Sequence, residues 1–360
     1  MGFVRPILLL AALAAVCGRA KTVYLTVMFC PTYFSSRGAV VAVDTDSGTQ
    51  SVVGQFEWPI GDQDECSLLV SPAVTLDRTS NLLWLDFGSD FGFNMALDLT
   101  KATVAKKFSP ADPFFIQFMS FFSGKDSGLF GRHFLRGVHP TVTEKGLCND
   151  GCYGLETLYD DDGHNITAPQ LILFKAIMDD SEYHDDARKL YYAQASYDLR
   201  NETARCQAPH DSSLCMIAID ETTGAVVTST YTNYTVYKFN QGSPSSSAVL
   251  GFIEGFPERC YQNETESSYA FGTVDLSNPA SPTFIACLDT NIVMDEWIST
   301  FSSDGSEFAT ASGDTEANGQ LLVADTQSGK VKLNADISSL GKTLGSENGL
   351  FLVLSIDYLE

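Results

Sequence analysis

The sequence predicts an all-β fold, a single β-propeller of four-stranded antiparallel blades. Three observations predict it. Runs of alternating apolar and polar residues, rich in Val, Phe, Tyr and Leu, recur between clusters of Gly, Ser, Asn and Asp. Long amphipathic helices are scarce; the best candidate, "APQLILFKAIMDDSEYHDDARKL" (168–190), also reads in part as strand. One strand–turn phrase keeps returning, as "VAVDTDSG" (41–48), "IAIDETTG" (217–224) and "LVADTQSG" (322–329).

Taken in chain order, residues 1–20 read as a signal peptide and 21–360 as the propeller domain. "MGFVR" supplies a positive charge, "PILLLAALAAVC" an apolar run too short to span a bilayer, and "GRA" the small residues Gly18 and Ala20 ahead of a cut before Lys21. The competing reading, a bacterial lipoprotein acylated at Cys17, is poorly served by the preceding Val16. No later run is apolar and long enough to cross a membrane, so membrane insertion is not expected. The mature protein is expected to be secreted, extracellular and soluble.

Nine cysteines are present, and losing Cys17 with the leader leaves eight. An even count in an exported chain points to disulfides. Cys148 with Cys152 and Cys206 with Cys215 are the expected local bridges; Cys30 with Cys66 and Cys260 with Cys287 complete the set. A zinc site in "CNDGC" is the rival, but a second ligand pair at the usual spacing is missing. Sequons at Asn165, Asn201, Asn233 and Asn263 fall in polar, turn-like surroundings and point to glycosylation on a eukaryotic secretory route.

Asp and Glu number 45 against 22 Lys and Arg, a net charge of −23. Such a chain repels phosphate backbones and anionic lipid, which excludes nucleic acid as a partner. The acid runs "YDDDGH" (159–164) and "MDDSEYHDD" (178–186) do not follow EF-hand spacing. No cofactor is predicted; calcium is the one ion left open.

The repeated phrase sets the architecture. An apolar strand ends in Asp, a turn follows, and a second strand begins. Asp44, Asp98, Asp220, Asp275 and Asp325 occupy this place, with separations of 54, 122, 55 and 50 residues. The long gap calls for one degenerate copy, and Asp160, 62 after Asp98 and 60 before Asp220, is the candidate. A unit of this length parses as four strands, the blade of a propeller. Six blades are expected, with seven as the alternative. "KTVYLTVMFC" (21–30) and "GLFLVLSIDY" (349–358) would pair to close the ring. Each Asp would accept backbone N–H bonds within its turn, and Gly48, Gly224 and Gly329 would supply positive φ. The Asp series thus reads as structural punctuation rather than as an acid–base set.

"VAVDTDSGTQSVV", "IAIDETTGAVV" and "LVADTQSGKVK" resemble the strand–turn phrase of propellers in the quinoprotein-alcohol-dehydrogenase-like (PQQ-enzyme-like) superfamily. The resemblance covers most of residues 22–340 at the level of blade pattern only. Members of that superfamily usually follow the Gly with a blade-docking Trp; here only Trp58 falls near such a place, and Trp84 and Trp297 do not. The vicinal Cys pair of many quinone dehydrogenases is missing, so no quinone site is carried over.

Chemistry-bearing candidates are few. His133, His139, His164, His184 and His210 form no metal-binding spacing, and no G-x-S-x-G elbow appears. "GRHFLRGVHP" (131–140), beside a Phe-rich run, reads as a locally basic loop in the irregular stretch 112–170. Exported six-bladed propellers that resemble calcium-dependent lactonases and esterases gather Asp, Glu and Asn around the channel. Asp90, Asn94, Asn291, Asp295 and Glu296 would be the residues for that, whereas Glu254 in "GFIEGFPERC" (251–260) reads as a lone surface acid. Two functions follow: an extracellular module, a monomer, binding a protein, glycan or small molecule; or a calcium-dependent hydrolase with its metal in the channel. Absence of catalytic spacing favours the first, so enzyme activity is not the expectation.

Overall fold

The computed structural model describes residues 21–33, 35–58, 73–77, 80–86, 94–108, 118–124, 128–136, 153–159, 172–174, 176–177, 183–185, 187–196, 214–220, 226–241, 248–255, 260, 269–290, 297–312 and 319–359. They form a single all-β propeller carrying one short helix, α1 (Leu340–Leu344). The first sheet has the order β25 (Phe351–Tyr358), β1 (Thr22–Thr32), β2 (Ser35–Asp44), β3 (Gln50–Glu57). The next runs β4 (Ala73–Asp77), β5 (Leu82–Asp86), β6 (Asn94–Asp98), β7 (Thr103–Phe108). It is followed by β8 (Phe118–Gly124), β9 (Gly128–Arg136), β10 (Tyr153–Tyr159) and β11 (Ile172–Phe174). Then come β12 (Ala176–Ile177), β13 (Tyr183–Asp185), β14 (Leu190–Ser196), β15 (Leu214–Asp220) and β16 (Val226–Thr232). The last two are β17 (Thr235–Phe239), β18 (Ala248–Glu254), β19 (Tyr269–Asp275), β20 (Thr283–Cys287), and β21 (Trp297–Phe301), β22 (Glu307–Ser312), β23 (Gln320–Asp325), β24 (Val331–Asp336). Every pairing is antiparallel.

The expected ring of six, or seven, uniform blades needs correction. Among the described residues the regular four-stranded blades number five. The sheet built on β14 departs from the plan and has five strands, because two short strands share one edge of β14. β12 pairs with its Ala195–Ser196 end and β13 with its Leu190–Tyr192 end. Head and tail do not make an extra blade either: β1 lies between β2 and β25 within one sheet. The run expected as the best helix instead supplies β11, β12 and β13, because its apolar residues find partners across β10 and β14. The strand pairing thus describes neither a set of identical units nor their closure into a ring.

Period-2 alternation explains why the sheets stack. Along β1, Val23, Leu25, Val27 and Phe29 are fully buried on one face, against Ala309, Ala311, Leu321 and Val323 of β22 and β23. On the other face Met28 and Val40 meet Leu83, Leu85, Met95 and Leu97 of β5 and β6. A sheet buried on both faces needs a neighbour on each side. Between the β17–β20 and β21–β24 blades the filling is aromatic. Phe252 stacks on Phe308 at 4.3 Å between centroids, and Phe271 meets the edge of the same ring at 5.5 Å. Such offset and edge-to-face contacts suit the ring quadrupole.

One irregularity recurs at matching positions. The pairing of the third strand with the outermost one shifts register at Val40/Val41, Ala96/Leu97, Ala218/Ile219, Phe271/Gly272 and Val323/Ala324. The extra residues are Val53, Ala105, Val227, Ile285 and Lys332. A bulge increases local twist and turns an edge strand away from further pairing.

The Asp turn of one blade packs on the outer strand of the blade before it. A Cβ at Gly48 would lie 3.1 Å from Leu333 Cδ1 of β24. At Gly329 it would lie 1.7 Å from the Cys287 carbonyl oxygen at the end of β20. Both glycines also have positive φ, +70° and +71°. In the second blade the roles are exchanged. The turn carries Ala102, at φ +50°, and the strand facing it carries Gly54, whose added Cβ would sit 2.9 Å from Ala102 Cβ.

Gly54→Ala should therefore destabilise the protein by about 1–3 kcal/mol through overpacking. Adding Ala102→Gly should recover most of that loss, because it removes the clashing methyl. Thermal melting of the two single variants and the double variant measures the coupling; strictly additive effects would contradict the contact. Gly329→Ala should be the more damaging, whereas Gly345→Ala, at φ +91° with open space around it, should cost only the roughly 1–2 kcal/mol of left-handed backbone.

Candidate functional site

The Asp series was the sequence's most suggestive feature, and each described member ends the third strand of its sheet. Asp44 Oδ1 accepts from Asp46 N (3.1 Å), Ser47 N (2.7 Å) and Ser47 Oγ (2.8 Å). Asp98 Oδ1 accepts from Thr100 N (3.0 Å), Thr100 Oγ1 (2.7 Å) and Lys101 N (3.1 Å), while Oδ2 holds Lys101 Nζ at 2.5 Å. Asp275 takes Ser277 N and Oγ at 2.9 and 2.6 Å, and Asp325 takes Ser328 N and Oγ at 2.8 and 2.6 Å. The backbone closes the same turns, with Gly48 N donating to Asp44 O and Gly329 N to Asp325 O. Asp220 ends β15, while Gly224 and Asp160 lie outside the described residues.

These bonds depress the carboxyl pKa values. Asp44 is lowered chiefly by the Ser47 N–H and hydroxyl, and Asp275 and Asp325 chiefly by the Ser277 and Ser328 hydroxyls. Asp98 is lowered from 3.8 to about 2, first by Lys101 and then by the Thr100 hydroxyl. A carboxylate held ionised by its own turn is a poor proton carrier at neutral pH.

Sequence reasoning missed two richer polar clusters. The first joins the β21–β24 blade to the β1–β3 sheet. Lys21 Nζ donates to Asp304 Oδ1 (2.6 Å), Ser306 Oγ (2.6 Å) and Ser302 Oγ (3.2 Å), all on the β21–β22 turn. Burial by itself would raise the Asp304 pKa, but Lys21, the Ser306 N–H and the Ser302 hydroxyl hold it well below the usual range. Next to it, buried Glu307 accepts from Lys332 Nζ and, at 3.1 Å, from Tyr358 OH. Lys332 also lies 3.8 Å from Asp46. It is the bulge residue of β24 and lies between Glu307 of its own blade and Asp46 of the neighbouring one. The dipeptide Asp-Gly in "SSDGSE" (302–307) was the available signal for this turn, with Gly305 at φ +69°.

The second cluster joins β14 to β17. Buried Gln194 donates to Thr232 Oγ1 and to the Tyr234 carbonyl, both at 2.9 Å, and accepts from Val236 N at 2.7 Å. One side-chain amide thus bonds the backbone at the start of β17 through both its oxygen and its nitrogen. Close by, fully buried Asp185 accepts from Arg188 N (3.1 Å) and pairs with Arg188 Nε (3.3 Å). Burial first, and then Asp185, push the Tyr183 hydroxyl up to about 12. Lys189, at φ +54°, takes the positive-φ place that Gly305 fills in the β21–β22 turn.

The remaining candidates fall partly among the described residues and partly outside them. Glu254 closes β18 and accepts from Tyr237 OH at 2.8 Å, and Asn94 opens β6. His133 falls in β9 and His184 in β13. Asp90, Asn291, Asp295, Glu296, His139, His164 and His210 lie outside the described residues. Among the described residues no group of three or more His, Cys, Asp and Glu could hold a metal ion. Cys260 and Cys287 are bridged, with Cα atoms 5.5 Å apart. Cys30 and Cys215 are also disulfide-bonded, whereas Cys66, Cys148, Cys152 and Cys206 lie outside the described residues. Asn233 is exposed between β16 and β17; Asn165, Asn201 and Asn263 lie outside.

No protein-family model matches the chain, and no curated protein matches it. Solved structures similar to it include TolB from Acinetobacter baumannii, at 13% identity and a TM-score of 0.46, over 91% of this chain and 66% of that one. The chain thus spans just under two thirds of the length of TolB. A hypothetical selenium-binding protein from Sulfolobus tokodaii is similar at 10% identity and a TM-score of 0.47, over 97% of this chain and 94% of that one. Likeness at this level carries no argument about function, which rests on the protein's own residues.

The depressed carboxyls set a pH dependence. Folded values below unfolded ones stabilise the fold above about pH 4. That stabilisation is lost as pH falls through the folded value, about 2 for Asp98. Melting temperature should therefore drop steeply between these limits, and Asp98→Asn should flatten the drop. A variant that follows the wild-type curve would show that this turn contributes nothing to acid sensitivity.

Proposed function

We propose that the protein is a secreted, glycosylated β-propeller that serves as an extracellular binding module, a monomer whose partner is a protein, a glycan or a small molecule. The carrying observation is the use made of its most conspicuous acids. Asp44, Asp98, Asp275 and Asp325 each bind their own turn, and Asp304 and Glu307 bind across a blade junction. The repeated motif serves assembly, so recognition falls to the rims, where function resides on rigid folds. Export is supported by the leader-like residues 1–20, the even cysteine count that remains without Cys17, and the exposed sequon at Asn233. The strand–turn phrase continues to favour kinship with PQQ-enzyme-like propellers in blade pattern alone, with no quinone site.

Expression in a eukaryotic cell line should deliver the protein to the medium beginning at Lys21. Endoglycosidase should lower its mass, by one glycan fewer in Asn233→Gln than in wild type. Retention in the cell with the leader intact would overturn the secreted reading. Elemental analysis of the purified protein decides between the function classes. One tightly held calcium per chain, lost together with hydrolysis of simple lactones or esters, would replace the binding module with a metal-assisted hydrolase.

A further inference from the structure

Asn followed directly by Gly occurs at 318–319 and at 348–349. The dipeptide is reactive because the Gly backbone nitrogen can attack the Asn side-chain carbonyl carbon, and glycine puts no Cβ in the way. The two places differ. Asn318 lies outside the described residues, and Gly319 is buried. The Gly319 carbonyl accepts from Ile337 N at 2.8 Å, and a Cβ on Gly319 would meet the Phe351 ring at 2.7 Å. Asn348, by contrast, is exposed in the turn between α1 and β25. The N–H of Gly349, at φ +73°, donates to Ser346 O at 3.2 Å, the long end of the range for such bonds. The Lys342 stem runs alongside, with Cε 3.3 Å from where a Gly349 Cβ would sit. Its ammonium is thus close to the nitrogen that must lose a proton, and a nearby cation favours that loss.

The chain on either side of Asn348 is tied to β1. Glu347 N donates to Cys30 O at 3.0 Å, and Phe351 pairs with Phe29. Phe29 and Cys30 are adjacent on β1, so that strand fixes the span from Glu347 to Phe351. α1 backs directly onto the turn, because a Cβ on Gly341 would run into the Gly349 carbonyl. The turn therefore has no slack to take up extra chain.

We propose that Asn348 is a site of spontaneous covalent modification, and that its isoaspartyl product loosens β25 from β1. The Gly349 nitrogen gives up its proton and bonds to Asn348 Cγ. The Cγ–Nδ2 bond breaks, and ammonia leaves carrying that proton, which closes a succinimide ring. Water then opens the ring. Cleavage of the nitrogen's bond to Cγ gives an ordinary aspartate. Cleavage of its bond to the main-chain carbonyl carbon gives isoaspartate, with the chain routed through Cβ and Cγ. That route adds one carbon, about 1.5 Å, between two ties that β1 holds at a fixed distance. One tie must yield, and either loss frees the entry of β25. The inference is independent of what the protein binds.

The test ages the mature protein in warm, mildly alkaline buffer and maps its reduced tryptic peptides by mass spectrometry. Trypsin separates the two Asn–Gly pairs, since no Lys or Arg follows Lys342 and none lies between Arg259 and Lys330. Peptide 343–360 should trade its amide NH2 for OH before peptide 260–330 does. Its isoaspartyl form should accept a methyl group from an isoaspartyl-specific carboxyl methyltransferase. Asn348→Gln should abolish that signal and keep its melting temperature on ageing. Aged wild type should melt lower, and its amides at 351–358 should exchange faster. Fresh Asn348→Asp adds the charge without the extra carbon, so it should match fresh wild type in both measurements. An intact peptide 343–360, after a time in which the same synthetic peptide converts, would overturn the inference, as would earlier conversion of 260–330. Aged protein with unchanged melting and exchange, or fresh Asn348→Asp with the same losses as aged wild type, would overturn the link to β25.

Discussion

The structure depends on how closely one blade's Asp turn approaches the outer strand of the blade before it. The aspartate ties three or four residues into a tight knuckle by accepting N–H and hydroxyl bonds. The knuckle then presents a residue with no side chain, or only a methyl, to a neighbouring backbone. Gly329 against the Cys287 carbonyl and Gly48 against Leu333 are two instances. Gly54 against Ala102 keeps the total volume and reverses which partner gives way. Bulky residues on both sides would hold the blades apart and open the apolar faces behind them.

Around that contact the blade junctions are finished by different means. Aromatic rings fill the space between β17–β20 and β21–β24. A buried amide, Gln194, ties β14 to β17. A charged network of Lys21, Asp304, Glu307, Lys332 and Tyr358 ties β21–β24 to the sheet of β25, β1, β2 and β3. The exposed Lys21–Asp304 pair contributes little, whereas Glu307 is buried, so losing its Lys332 or Tyr358 partner costs more.

Much of the fold was legible because its signals are local. An Asp followed two or three residues later by Ser or Thr is a turn chemistry that needs no tertiary information, and its spacing exposed the repeat. The all-β class followed from strand periodicity. The blade count did not follow, because the sheet on β14 is completed by two fragments of two and three residues, too short to carry a period. The stretch 168–190 looked helical for the same reason that Asp185 escaped notice. Its strands are brief, and Lys189 does the work of a glycine. The site was less legible than the fold. Lys21 and Asp304 are 283 residues apart, and no local pattern announces such a meeting.

The place of β1 has a consequence for biogenesis. It is flanked by β2 on one edge and by β25 on the other. During synthesis β1 therefore waits for β25 before its sheet is complete. Through nearly all of synthesis Val23, Leu25, Val27 and Phe29 have an unpaired edge beside them, and contacts between such distant residues form slowly. A chain without Phe351–Tyr358 would be left with an open apolar edge beside β1.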